Sequence, residues 1–146
     1  MARKVAIASD HAGLPLKEYL KENFKAQEVE WIDLGTHSSD SVDYPDFGAK
    51  VATLVASGEV ARGVAICGSG IGISIACNRN PQVRAGLCTD STMARLTRLH
   101  NDANILCLGE RLTGTEVALD ILKTFLETEF EGGRHQGRVD KLSMQR

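Results

Sequence analysis

The sequence contains no long run of basic residues and no long apolar segment suited to crossing a membrane. Its net charge is −2 and its pI is near 6.1, so nucleic acid is a poor first choice of partner. The longest uncharged stretch, residues 63–78, contains four glycines and two serines, which argues against a membrane span. The first eight residues are typical of the start of a strand rather than of a secretion signal.

The sequence also lacks the cysteine spacings of disulfide-rich and zinc-binding proteins. Its four cysteines form no Cys-x-x-Cys pair, and their separations of 10, 11 and 19 residues lack the close pairs of structural zinc sites. We therefore expect four reduced thiols in a cytoplasmic protein. Cys77, Cys88 and Cys107 are expected to be small, buried apolar residues.

A single domain is expected over residues 1–146, because the chain has no linker, low-complexity segment or block of like charge. Its composition, 42% apolar and 25% charged, is ordinary for a globular protein. Gly132 and Gly133 break the pattern before a polar C-terminal segment. We expect this helix or tail, residues 132–146, to close over a binding site or to close a dimer interface.

Short apolar runs alternate with longer amphipathic stretches, which is typical of an α/β fold with a mostly parallel sheet covered on both faces. The predicted architecture is a three-layer sandwich of the Rossmann or flavodoxin-like type with a five-stranded parallel sheet. Strands are predicted at residues 4–9, 29–34, 63–67, 83–88 and 104–108. Helices are predicted at residues 14–24, 47–55, 71–76, 92–99 and 117–130, with Thr115 at the cap or in the first turn of the last.

Polar and ionisable residues follow the predicted strands. Right-handed crossovers place the carboxyl ends of parallel strands at one edge of the sheet, where ligands bind. We therefore expect these polar residues to share a single edge. They lie in segments 10–13, 35–37 with 43–45, 67–72, 89–90 with the helix end at 100–102, and 109–111.

The segment after the third strand, Cys-Gly-Ser-Gly-Ile-Gly at residues 67–72, carries the most chemistry. It has neither the dinucleotide-binding spacing nor the Gly-Lys-Ser/Thr of a P-loop. Its glycines suit either plain strand–helix packing or the close approach of an anion. Cys67 lies just ahead of a helix N-terminus and gains thiolate character there. It is a candidate nucleophile or base, with the N–H groups of residues 69–72 available to an oxyanion.

Histidine and arginine side chains supply the other candidate groups. His11 and His100, each beside a polar neighbour, can bind phosphate or transfer a proton near pH 7. His37 lies in a turn and is expected to be exposed. Arg134 and Arg138 share a face on a helix, where they suit either a phosphate dianion or a solvated surface.

Five motifs, in order over essentially the whole chain, resemble the RpiB/LacAB family of sugar-phosphate isomerases. The resemblance is to its ribose-5-phosphate isomerase B branch, which carries a cysteine base. The motifs are Asp-His-Ala-Gly at 10–13, Asp-Tyr-Pro at 43–45, Cys-Gly-Ser-Gly-Ile-Gly-Ile-Ser at 67–74, His-Asn-Asp-Ala-Asn at 100–104 and Gly-Gly-Arg-His-Gln at 132–136.

The resemblance implies an aldose–ketose isomerase of the pentose phosphate pathway that interconverts ribose 5-phosphate and ribulose 5-phosphate with no metal and no organic cofactor. Cys67 would move a proton between C2 and C1 through a cis-enediolate. The hydroxyl of Ser69, where the family usually has threonine, would assist. His100 would help to open the furanose ring, with Asp10 or Asn101 holding the sugar hydroxyls.

The resemblance also implies a binding site shared between subunits. The family is similar to a flavodoxin-like sandwich with the last two strands exchanged, and it forms dimers that sometimes pair into tetramers. His100, Asn101 and Arg111 would come from the partner of the chain that supplies Cys67. The residues expected to bind substrate are His11, Arg134, Arg138 and Arg111 at the phosphate, Tyr44 at the sugar, and Gly68, Gly70, Ile71 and Gly72 in the loop.

Other functions stay open from the sequence. Allose 6-phosphate, galactose 6-phosphate or erythrose 4-phosphate could replace the pentose phosphate, although lactose-pathway members typically lack the equivalent of either Cys67 or His100. A non-catalytic phospho-ligand-binding module would need an aspartate after the third strand, where this chain has Cys67, and a lysine after the fifth. A thiol redox protein is disfavoured because no resolving cysteine stands next to Cys67.

Overall fold

A computed structural model describes residues 2–144 as a five-stranded parallel sheet with helices on both faces, which confirms the predicted α/β architecture. Residues 1, 145 and 146 of the predicted domain lie outside the described part. The strands are β1 (Arg3–Ser9), β2 (Val29–Asp33), β3 (Arg62–Cys67), β4 (Ala85–Leu87) and β5 (Ile105–Gly109). The helices are α1 (Leu14–Asn23), α2 (Tyr44–Ala56), α3 (Ile71–Cys77), α4 (Ser91–Asn101), α5 (Thr115–Glu127) and α6 (Arg134–Met144).

The strand order is β2-β1-β3-β5-β4, and every neighbouring pair is parallel. Relative to the flavodoxin order, the last two strands are exchanged, as the resemblance implies. Strand β4 is shorter than predicted and lies at the edge of the sheet. The N–H of Arg84, just before β4, is taken by the side chain of Asn104 rather than by the strand ladder.

Apolar side chains are buried on both faces of the sheet, which is why the strands have nearly continuous apolar sequences. Successive strand residues point to opposite faces. Val5, Ile7 and Ile66 pack on the α1 and α5 side, whereas Ala6 and Cys67 pack on the α2 and α3 side. Cys67 therefore belongs to the layer from which α3 begins.

Helix α4 carries its last residues away from the edge at which the strands end. A helix that connects parallel strands runs antiparallel to them, so α4 starts near the carboxyl end of β4 and finishes at the opposite edge. The N–H of Gly63, at the start of β3, donates to the carbonyl oxygen of Asn104 at 2.9 Å. Residues 100–102 are therefore at the amino edge of the sheet. The prediction that they share the edge of Cys67 is wrong.

The C-terminal segment turns back onto α4. Gly132 and Gly133 have φ angles of +71° and +57°, in the left-handed region that glycine adopts without strain. The N–H of Glu131 donates to the carbonyl oxygen of Leu99 at 3.1 Å, and α6 packs against α4. Within residues 2–144, no helix combines the length and the apolar character needed to cross a membrane.

Candidate active site

An open cavity of about 500 Å³ lies at the carboxyl ends of β1 and β3. Loops after β1, β3 and β5, together with the starts of α2 and α3, form its walls. Nine of the eleven lining residues were predicted as site residues, so this cavity is the candidate active site. The lining residues are Asp10, His11, Ala12, Tyr44, Cys67, Gly68, Ser69, Ile71, Gly72, Ile75 and Arg111.

Cys67 is the last residue of β3, and its sulfur is held by the loop that follows. The Sγ atom accepts a hydrogen bond from the N–H of Gly70 at 3.2 Å. Gly70 has a φ of +77°, and a Cβ there would lie 2.6 Å from Leu87 and 2.8 Å from the carbonyl carbon of Leu108. Glycine is therefore required for this turn. The N–H donor stabilises negative charge on the sulfur, as a nucleophile or base requires.

Two of the four predicted oxyanion donors are already used within the loop. The N–H of Gly70 donates to Cys67, and the N–H of Ile71 donates to Oγ of Ser69 at 3.2 Å. Among the described residues, the N–H groups of Ser69 and Gly72 have no protein partner. Such unpaired N–H groups are usual where a helix begins. These two donors, rather than four, are available to a ligand.

His11 is oriented by the loop before α2. Its Nδ1 accepts a hydrogen bond from the N–H of Val42 at 3.1 Å. In a neutral imidazole the other ring nitrogen then carries the proton, so Nε2 of His11 is a donor. Asp10 beside it is buried, and its Oδ1 accepts from the N–H of Gly13 at the start of α1. Tyr44 packs over Gly72, where a Cβ would lie 2.6 Å from the tyrosine ring.

Arg111 lies in the cavity of its own chain. Its N–H donates to the carbonyl oxygen of Gly68 at 2.9 Å, and a Cβ on Gly68 would lie 3.2 Å from the guanidinium carbon. The N–H of Glu110 likewise donates to the carbonyl oxygen of Cys67 at 2.9 Å. The exchange of β4 and β5 makes β3 and β5 neighbours, which brings the turn after β5 beside Cys67. The expectation that Arg111 comes from a partner subunit is therefore wrong.

The carboxylate of Glu110 connects this turn to α1. Its Oε1 accepts a hydrogen bond from the N–H of Leu16 at 2.7 Å. This N–H belongs to the first turn of α1 and has no partner within the helix. Glu110 therefore joins the Arg111 turn to the helix that follows Asp10 and His11. The sequence showed a carboxylate at a strand end but gave no sign of this role.

Asp33, which the sequence pattern did not indicate, holds the loop after β2 in place. Both of its carboxylate oxygens accept from Nζ of the buried Lys17 at 2.6–2.7 Å, and Oδ1 also accepts from the N–H of Gly35. Partial burial raises the pKa of Asp33, but the hydrogen bonds from Lys17, Lys21 and Gly35 outweigh it and lower that pKa to about 2. The loop leads towards Val42 and Tyr44, which contribute to the site.

Four predicted site residues lie away from the Cys67 cavity. Asn101 lines a separate cavity of about 610 Å³ at the amino edge. His100 lies beside it at the end of α4, and Arg134 and Arg138 are exposed on α6, which packs on α4. A five-residue strand such as β5 spans roughly 15 Å. These four residues and Cys67 of one chain therefore lie at opposite edges of the sheet.

His135 is a neighbour of this second group that the sequence did not single out. Its ring stacks on that of His100 with centroids 4.5 Å apart and planes at 19°. It follows Arg134 in the fifth motif, which is the only signal that could have found it. Burial, followed by the positive charge of Arg134, lowers the pKa of His135 below its ordinary value near 6.5.

Comparison with known proteins shows the family of this chain. The model of the ribose/galactose isomerase family (LacAB_rpiB) matches residues 5–142. The chain belongs to this family. It is 44% identical over 141 residues to the ribose-5-phosphate isomerase B of Escherichia coli strain K12, and the match covers 97% of this chain and 95% of that protein.

Solved structures of family members have the same fold. The ribose-5-phosphate isomerase B of Clostridium thermocellum superposes with a TM-score of 0.94 at 56% identity, covering 97% of this chain and 95% of that chain. The ribose-5-phosphate isomerase B of Mycoplasma genitalium, solved with bound ribulose-5-phosphate, superposes with a TM-score of 0.92 at 40% identity. That match covers 99% of this chain and 96% of the other.

Proposed function

We propose that this protein interconverts ribose 5-phosphate and ribulose 5-phosphate by proton transfer at Cys67. The observation that carries the proposal is a thiol at the wall of the cavity whose sulfur accepts an N–H hydrogen bond. Membership of the ribose/galactose isomerase family supports the reaction class. The relative from Mycoplasma genitalium with bound ribulose-5-phosphate supports the pentose phosphate as substrate.

In the proposed mechanism, Cys67 is the base and the loop that follows it supplies hydrogen-bond donors. The Cys67 thiolate takes the proton from C2 of the open-chain aldose, and the electron pair forms the C1–C2 double bond of a cis-enediolate with its charge on O1. The same proton returns to C1 as the hydroxyl proton of O2 moves to O1. The N–H groups of Ser69 and Gly72 donate to the developing charge. One well-aimed N–H donor lowers such a barrier by about 3 kcal/mol.

The Ser69 hydroxyl is suited to the oxygen-to-oxygen proton transfer. Its Oγ accepts from the N–H of Ile71, which leaves its own O–H free to donate to a substrate oxygen. Serine retains the hydroxyl of the threonine usual in the family and loses only a methyl group. The hydroxyl therefore assists at O1 and O2, with no metal and no organic cofactor.

A second copy of the chain completes the site in this proposal. His100, Asn101, Arg134 and Arg138 lie too far from Cys67 of their own chain to share a substrate with it. In a two-fold dimer each copy would supply these four residues to the other copy's cavity, so that two equal sites form. Helix α6 would then close the partner's site rather than its own.

Exposed apolar side chains support this assembly. Ile71 and Ile75, one helical turn apart on α3, are 51% and 54% exposed beside the cavity. Leu142 on α6 is 48% exposed. The exposed apolar pair on α3 is the kind of surface that marks an interaction site. The phosphate would then lie between His11 and Arg111 of one copy and Arg134 and Arg138 of the other, since arginine pairs suit a phosphate dianion.

The deciding experiment compares aldose phosphates of four, five and six carbons as substrates of the purified protein in the presence of a chelator. The proposal expects the highest kcat/KM for ribose 5-phosphate. A higher value for allose 6-phosphate, galactose 6-phosphate or erythrose 4-phosphate would contradict it, as would binding without turnover.

We also propose a cytoplasmic location, because all four cysteines are free thiols.

A further inference from the structure

Three potential metal ligands meet at the amino edge of the sheet, outside the Cys67 cavity. One ligand atom from each of His100, Glu131 and His135 lies within 4.8 Å of the others. His100 lies in the last turn of α4, Glu131 directly precedes the double glycine, and His135 lies in the first turn of α6. The turn at the two glycines and the packing of α6 on α4 bring the three side chains together.

The buried nitrogen of His135 is an independent sign that a ligand is missing from this group. His135 is only 6% exposed, and its Nε2 has no hydrogen-bond partner among the described residues. The nearest carboxylate oxygen, Oε1 of Glu131, is 3.6 Å away, which is too long for a hydrogen bond. Buried polar atoms without a partner are uncommon in folded proteins. A metal ion between the two side chains would satisfy this nitrogen.

We propose that His100, Glu131 and His135 bind one divalent transition-metal ion, with Zn²⁺ the best fit, and that the bound ion inhibits the isomerase. Two imidazoles and one carboxylate are a common zinc ligand set, with the fourth position taken by water. Imidazole ligands favour Zn²⁺, Cu²⁺ or Ni²⁺ over Mg²⁺ and Ca²⁺, which prefer oxygen ligands.

Binding requires a small rearrangement. Ligand atoms around a tetrahedral zinc ion lie about 3.3 Å apart, so the present atoms, which lie within 4.8 Å of one another, must approach by up to about 1.5 Å. The metal lies in the plane of each imidazole that it binds, so the ring of His100 must turn out of its stack on His135. His100 is half-buried and the Glu131 side chain is 46% exposed, so both can move towards the buried His135.

Arg134 offers little resistance to this rearrangement. Its Nη1 is 3.8 Å from Oε1 of Glu131, and its side chain is 68% exposed. Long, exposed ion pairs of this kind contribute little to stability. Glu131 can therefore exchange this contact for a metal ion, and Arg134 can turn into solvent.

Inhibition follows from the role of His100, and this part rests on the proposed function. A metal-bound imidazole cannot accept or donate the proton needed to open the furanose ring. The ion would also hold the ring of His100 against Glu131, away from a substrate in the partner's cavity. Metal binding itself does not depend on the proposed reaction.

The binding test uses the full-length, metal-free protein titrated with Zn²⁺ in a calorimeter, and with Co²⁺ followed by its visible absorption. We expect one ion per chain. Glu131→Gln should weaken binding by at least about tenfold and leave metal-free activity unchanged. His37→Gln, at an exposed histidine elsewhere, and Cys67→Ala, which removes the cavity thiol, should bind as the wild type does. Absent binding, binding unchanged in Glu131→Gln, or binding lost in either control would overturn the site.

The inhibition test follows isomerase activity as Zn²⁺ is added and then removed with a chelator. Activity should fall in step with calorimetric occupancy and recover with the chelator. In Glu131→Gln the inhibition curve should shift to higher Zn²⁺ by the same factor as the affinity. Full occupancy with full activity would overturn the inhibitory role. A metal-free protein with no isomerase activity would instead contradict the proposed function, and the calorimetric result would still decide the metal site.

Discussion

The N–H of Gly70 donates a hydrogen bond to the sulfur of Cys67 across 3.2 Å. The left-handed backbone of Gly70 aims this donor back at the strand end, and α3 starts at the next residue. The thiol and its donor are therefore built by four consecutive residues. The base of the proposed reaction lies in the cavity of its own chain, whereas His100, the group proposed to open the sugar ring, lies at the opposite edge of the sheet.

Replacing the thiol should abolish proton transfer without unfolding the protein. We expect Cys67→Ala to lower kcat for ribose 5-phosphate by at least about 10³-fold, because the substitution removes the group proposed to take the proton. Cys67→Ser, which keeps the size of the side chain, should also be nearly inactive because an alcohol is a much weaker acid than a thiol. Steady-state kinetics measure the loss, and thermal unfolding checks the fold. Near-normal turnover by Cys67→Ala would contradict the mechanism.

Alkylation should distinguish Cys67 from the other three cysteines. Burial, aided by the charge of Asp90, raises the pKa of Cys88 to about 12. A hydrogen bond with Cys77 and complete burial raise the pKa of Cys107 well above its ordinary value. We therefore expect iodoacetamide at neutral pH to modify only Cys67, and activity to be lost at the same rate. Ribose 5-phosphate should slow both the alkylation and the loss of activity. Peptide mass spectrometry identifies the site. Modification of Cys77, Cys88 or Cys107 in the native protein would contradict this prediction.

Mixed dimers test whether two chains share each site. Cys67→Ala and His100→Ala should each be nearly inactive alone. In a mixed dimer, one site would carry both substitutions and the other would carry neither. Random exchange makes half of the dimers mixed, so activity should recover to about one quarter of the wild-type value. Pairing Cys67→Ala with Arg111→Ala is the matched control. Both residues belong to the same chain's cavity, so no recovery is expected.

Acid should remove the stabilisation that Asp33 contributes. Its pKa is lowered from 3.8 to about 2, so the folded protein is stabilised above pH 3.8 and loses that stabilisation as the pH falls towards 2. The shift corresponds to about 2 kcal/mol of unfolding free energy. We expect Asp33→Asn to lose about this amount at pH 7 in urea unfolding. The difference from the wild type should shrink near pH 2. An unchanged difference across this pH range would contradict the assignment.

The fold could be predicted from the sequence because burial on both faces leaves a direct mark on each strand. The runs around Val5 and Ile66 are apolar throughout, and helical spacing resumes after each of them. Strand order leaves no such mark. The exchange of β4 and β5 came only from the family resemblance, and the shortened β4 reflects competition by the Asn104 side chain for a backbone N–H.

The candidate site could be predicted where a residue ends a strand or follows it closely. Cys67 is the last residue of β3 and Asp10 directly follows β1, and both lie in the cavity. His100 follows a helix, so the same rule assigns it to the wrong edge. Glu131 and His135 became neighbours of His100 through the packing of α6 on α4, a tertiary contact with no local sequence signal. The proximity of these two residues to His100 therefore needed the three-dimensional structure.

The direction of α4 determines how the proposed enzyme responds to dilution. This helix places His100 at the opposite edge of the sheet from Cys67. A monomer would therefore hold two incomplete parts of the active site that cannot act on the same substrate molecule. Specific activity would then fall once chains separate and return when they re-associate. Specific activity would thus report the fraction of chains that are associated. A substitution that weakens the contact between the two copies would lower activity even if it lay far from every site residue.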